Sequence, residues 1–143
     1  MSGYELKMLS PDEVKDYWES IKPLVEMSFL SNEMYADTTH PDDILALALT
    51  DQCAVFAGIK AGKIGCILVL QFNMQSGHKC ADILSLAGED LMQFKMRFWD
   101  LILDWLRANE IEYVDAHANE RMAKIYKRKY GFGKSCAVVR MAL

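Results

Sequence analysis

Two runs rich in β-branched and aromatic residues, Cys53 to Ile59 and Ile64 to Phe72, flank Lys60, Ala61, Gly62 and Lys63. A short gap holding a glycine between two such runs is a hairpin signal, and a hairpin makes its arms pair antiparallel. A second turn, Asn73 to His78, leads into a third run from Cys80 to Leu86. The middle of the chain is thereby committed to three consecutive antiparallel strands. From Leu91 the period changes to that of a helix. Leu91, Phe94, Phe98, Leu101, Ile102 and Trp105 form one apolar stripe, with Met92, Met96, Trp99, Leu103 and Leu106 forming another beside it. So wide an apolar face predicts contacts beyond one sheet, with another helix or with a second subunit in a homodimer.

The flanks fit around this middle. Residues 4 to 9 alternate weakly, as a first strand. Ser10, Pro11 and Glu13 then supply a capping hydroxyl, a proline at the first helical position and a glutamate able to close a capping box. The helix that follows carries Val14, Tyr17, Trp18, Ile21, Val25 and Phe29 at helical spacing, and Pro23 is expected to kink or split it. Asn32 to Thr39 reads as a loop, and His40, Pro41, Asp42 and Asp43 start a second helix that runs through Leu49, with its acids at the positive end of the dipole. Beyond the long helix come a short strand, Ile111 to Ala116, a helix, Glu120 to Tyr130, and a last strand, Ser135 to Leu143. The predicted order is βααβββαβαβ. That is an α/β (α+β) chain whose mixed, mostly antiparallel sheet has helices on both faces.

At 143 residues, with no repeat or Pro/Gly/Ser-rich linker, residues 1 to 143 read as a single domain. A formal charge of −4 gives no general attraction to nucleic acid or to an anionic membrane. The one cationic concentration, Lys124, Lys127, Arg128, Lys129, Lys134 and Arg140, reads as a solvated helix face or as a phosphate-binding patch. Cys53, Cys66, Cys80 and Cys136 lack CxxC spacing, and His40, His78 and His117 lack ligand-like spacing, so neither a disulfide framework nor zinc is expected. The first residues have no apolar core of a signal peptide and no stretch approaches membrane-spanning length, so a cytoplasmic protein is expected.

One local pattern points to a chemistry. Asn119 opens the last helix, Tyr126 follows two turns later, and Gly131 and Phe132 close it. As an N-cap, Asn119 has a sufficient structural role, and Tyr126 can pack beside Met122, Ile125 and Tyr130. Yet Asn, short helix, Tyr and Gly-Phe, together with Gly62, Lys63, Ile64 and Gly65 at the turn into a strand and the element order of the whole chain, resemble the GNAT family of N-acetyltransferases.

The resemblance implies acetyl-CoA as co-substrate and an amine, on a small molecule or a protein, as acceptor. It implies that the backbone of Leu84 and Leu86 holds the pantetheine and that Tyr126 protonates the departing thiolate, with Asn119 at the same site. The amine attacks directly, with no covalent enzyme intermediate. The phosphates of CoA would meet the turn at Leu86, Ala87 and Gly88, where this chain departs from the family by lacking the basic residue and carrying Glu89 and Asp90. Lys127 and Arg128 would partly replace that missing charge. Asp82, Asp115 and His117 are the candidate bases for the amine. A second reading stays open: a catalytically inactive interaction module of the same fold, like the compact members that some bacteriophages encode.

Overall fold

The computed structural model describes residues 3–30 and 39–143. Strands are β1 (Glu5–Leu9), β2 (Cys53–Lys60), β3 (Lys63–Gln75), β4 (His78–Gly88) and β5 (Tyr113–Ala116). Helices are α1 (Pro11–Asp16), α2 (Trp18–Leu30), α3 (Pro41–Leu49), α4 (Leu91–Ala108) and α5 (Glu120–Lys129). The strands lie in sequence order in one sheet, β1-β2-β3-β4-β5. All neighbours are antiparallel except β4 and β5, which α4 connects as a parallel pair.

Turn chemistry sets the registers. Ala61 and Gly62 both have positive φ (52° and 75°), as do Ser76 and Gly77 (49° and 83°). Positive φ at both central residues matches the right-handed twist of the flanking strands, so each hairpin closes on two residues. The second turn is therefore tighter than the sequence predicts: Asn73 to Gln75 belong to β3, and β4 starts at His78. Ser10 and Glu13 form the predicted capping box, and His40 with Asp43 forms the second.

Helices cover both faces. On one side Val14, Ile21, Val25 and Phe29 of α1 and α2, with Ile44 and Ala48 of α3, pack on Val55, Ala57, Ile67 and Val69. On the other, Phe94, Phe98, Trp99, Ile102 and Leu106 of α4 pack on Phe56, Leu68, Leu70, Ala81 and Ile83. The second stripe of α4 is divided. Trp99 and Leu106 are buried, but Met92 and Met96 lie past the edge of the buried arc and are exposed, as is Leu101. Trp99 takes up the predicted extra contact within the chain, because its indole N–H donates to the Tyr130 carbonyl at 3.0 Å.

Three expectations need correction. The first helix is interrupted at Tyr17 rather than at Pro23, which lies inside α2. One lost amide donor in the second turn is tolerated there because the neighbouring Ile21 and Val25 anchor that turn in the core. The last strand, Ser135 to Leu143, is absent: among the described residues the segment pairs with no strand, and Val139 and Met141 are exposed. Strand propensity supplies no ladder by itself, and the segment takes no regular secondary structure. The order is therefore βαααβββαβα among the described residues. The predicted loop from Asn32 falls outside them up to residue 38.

Candidate active site

Register creates the site. β4 pairs with β5 only from Cys80 to Ile83, opposite Tyr113 to Ala116, although β4 continues to Gly88 along β3. Among the described residues, Leu84 to Gly88 therefore have a neighbouring strand on one side only, and the sheet parts there. The resulting cleft of about 60 Å³ is lined by Ile83, Leu84, Ser85 and Leu86 on one wall, by His117, Asn119, Met122 and Tyr126 on the other, and by Ser28 of α2.

A bulge shapes the first wall. Val69 pairs with Ser85 and Leu70 with Ile83, so Leu84 is the extra residue. An extra residue interrupts the alternation of side chains. Ile83 faces the α4 core, whereas Leu84 joins the α1–α3 core and the next residue, Ser85, also meets α2. Ser85 is the one buried polar residue of the described core, 2% exposed, and its hydroxyl lies 2.6 Å from that of Ser28. Sequence reasoning missed it, since a serine in an apolar strand gives no signal until the bulge is known.

The second wall is the segment with the Asn-Tyr-Gly-Phe pattern. Asn119 caps α5, its Oδ1 accepting from the Met122 amide at 2.8 Å. Tyr126 is buried, in ring contact with Tyr130 and Phe132, and borders the cleft. Gly131 takes φ 82°, the left-handed conformation that commonly ends helices, and this brings the Phe132 amide back to the Tyr126 carbonyl at 3.3 Å. Phe132 then stacks on Trp99. The closing Gly-Phe thus fixes α5, and with it Tyr126, against α4.

Other predicted residues are distributed unevenly. Leu84, Leu86, His117, Asn119 and Tyr126 come together around the cleft; Asp82, Ala87, Gly88, Lys127 and Arg128 do not line it. Lys127 and Arg128 are exposed in the last turn of α5, beyond Tyr126. Asp82 pairs in register with Asp115 and accepts a hydrogen bond from the side-chain amide of Asn73. Burial raises its pKa, the Asn73 bond opposes that shift, Asp115 adds to it and His117 opposes it.

The turn before α4 is shaped by a contact distant in sequence. Asp90 occupies the N-cap position at φ 51°, yet its side chain makes no capping bond; its carboxylate accepts instead from the Tyr4 hydroxyl at 3.2 Å. Burial first, and Asp90 second, push the Tyr4 phenol pKa up. The acid therefore leaves the first amides of α4 without a side-chain cap, a setting suited to an anion. Gly88, at φ 132°, lies so close to β3 that a Cβ there would stand 2.3 Å from the Gly65 carbonyl oxygen.

No protein-family model matches the sequence, and no curated protein matches it. Solved structures do. An aminoglycoside acetyltransferase from an uncultured soil metagenomic sample, in complex with sisomicin, superposes with a TM-score of 0.67 at 16% identity, over 99% of this chain and 97% of that one. A predicted acetyltransferase of Clostridium acetobutylicum, with acetyl-CoA, gives 0.70 at 10% identity, over 97% and 96%. Glucosamine-6-phosphate N-acetyltransferase from Arabidopsis thaliana gives 0.62 at 12%, over 96% and 97%. With matches that span nearly the full length of both chains, and with the sheet parting between β4 and β5, this protein has the fold of the GNAT acetyltransferases.

Proposed function

We propose that the protein is an acetyl-CoA-dependent N-acetyltransferase. The observation that carries the reading is the parting of β4 from β5: it leaves the β5-facing backbone edge of Leu84 and Leu86 without a strand partner, directly across from Tyr126. Backbone amides and carbonyls that lack a strand partner are suited to the amide groups of a pantetheine arm. The uncapped amides at the start of α4 suit its phosphates.

In this reading acetyl-CoA supplies the activated acetyl group. An amine nitrogen forms its bond to the acetyl carbon as the carbon–sulfur bond breaks. Tyr126 gives its phenolic proton to the sulfur, a role that suits a neutral donor held by a packed helix. His117, which borders the cleft, takes the proton released by the amine; Asp82 lies farther along β4 and is the weaker candidate. The acceptor is an amine of the general kind that the similar structures suggest, an aminoglycoside or an amino sugar.

Calorimetric titration with acetyl-CoA tests the first step, and CoA release in the presence of sisomicin or glucosamine 6-phosphate tests the second. Tyr126→Phe is expected to keep acetyl-CoA affinity and to lose about a hundredfold in turnover. Absence of binding at millimolar acetyl-CoA would overturn the enzyme reading and leave an interaction module of the same fold.

A further inference from the structure

One edge of the sheet and one stretch of chain are left over, and they match. β5 is the outermost strand: it joins β4 on one side, and among the described residues no strand lies on the other. Phe132 is held against Trp99 and Tyr126, but from there residues 133–143 leave the body of the molecule in no regular structure. Val139 is 91% exposed and Met141 83%, and Leu143 is exposed as well. These three fall at every second residue, the spacing that puts side chains on one face of a strand. An open edge is a template for pairing, and an apolar strand-forming segment held in water is its natural complement.

Charge matches too. From Glu110 to Ala116 the chain carries Glu110, Glu112 and Asp115 and no base, whereas residues 133–143 carry Lys134 and Arg140 and no acid. Reach is sufficient, since the stretch from Ser135 to Leu143 spans about 30 Å when extended, well beyond the length of β5. We infer that the β5 edge is occupied by Ser135 to Leu143 of a second copy of this chain, each copy giving one segment and receiving one. Reciprocal exchange covers both open edges and both exposed segments, so assembly stops at a dimer. Val114 and Ala116 of β5 already pack toward the α4 core, and the row of Val139, Met141 and Leu143 extends that apolar surface. The incoming segment also braces the strand that leads into His117 and Asn119, the wall of the cleft that β4 holds least. Exchange of this kind needs no bound acetyl-CoA, so it stands apart from the acetyltransferase reading.

Light scattering on a size-exclusion column gives the mass in solution, and hydrogen exchange read by mass spectrometry reports which amides are paired. Wild type is expected at twice the chain mass, with slow exchange at both 113–116 and 135–143. V139K/M141K changes side chains that are exposed in the single chain. It is expected to keep the wild-type circular dichroism, to run at the single-chain mass and to exchange about tenfold faster in both segments. A wild type that stays monomeric at its highest soluble concentration overturns the inference, whether the segment pairs with its own β5 or with nothing. A dimer that survives V139K/M141K also overturns it, and points instead to contact through the exposed Met92 and Met96 of α4. Should the variant not fold, dilution of wild type decides: protection of both segments is expected to vanish with the dimer, and protection that persists in the monomer overturns the exchange.

Discussion

Gly88 is fixed by its surroundings rather than by its own preference. Its φ of 132° and the backbone of Gly65 and Cys66 against its α-carbon leave no place for a side chain, and those neighbours are strand backbone that cannot turn aside. Gly88→Ala is expected to lower unfolding free energy by about 2 kcal/mol or more, read by urea denaturation. Asp82 poses a different problem. Its raised pKa means that folding favours the protonated carboxyl, so its unfavourable contribution is absent below the ordinary carboxylate range and develops as pH rises through the higher folded value. Asp82→Asn, which still offers an acceptor to Asn73, is expected to gain stability over wild type at neutral pH and to show little gain near pH 3 to 4, a difference measured by parallel urea titrations. Neither effect was legible in the sequence. A lone glycine and an aspartate in a strand become informative only when their neighbours across the sheet are known.

Elements whose ends carry their own chemistry were legible. Ser10 with Glu13, Ala61 with Gly62, and Asn119 each set a boundary through bonds made within a few residues, and the structure places them as expected. The start of α4 was not, because the partner that decides its behaviour, Tyr4, lies 86 residues from Asp90. Sequence alone shows two acids where CoA phosphates would bind; the structure shows one of them drawn aside to a phenol. The remaining electrostatic penalty is modest. At about 6 Å in water-like dielectric, one carboxylate opposes a phosphate charge by about 0.7 kcal/mol. Asp90→Asn is therefore expected to tighten acetyl-CoA binding about threefold at low salt, with the gain shrinking as salt rises. No change would mean that the phosphates lie elsewhere. The final predicted strand shows the opposite limit: Ser135 to Leu143 has strand-forming residues, but pairing is a property of two segments, and one segment cannot announce its partner.

At the scale of the molecule, the order of elements was enough to suggest the architecture, because two hairpins, one antiparallel helical connection and one parallel helical crossover admit few arrangements of five strands. The cleft was only half legible. The wall from Asn119 to Tyr126 carries its pattern in consecutive sequence, whereas Ser28 and Ser85 meet across 57 residues through a bulge that no local signal marks.

The two walls of the cleft also differ in what holds them. β4 is tied to β3 by a long ladder, while β5 joins β4 over four residue pairs. Beyond Ala116 the opposite wall depends on ring contacts among Trp99, Tyr126, Tyr130 and Phe132 and on the indole bond to Tyr130. Ladders of hydrogen bonds and clusters of rings respond differently to temperature, since apolar association weakens on cooling. The width of the cleft is thus set by a rigid jaw and a greasy hinge, and cold should loosen the gap before it disturbs the sheet.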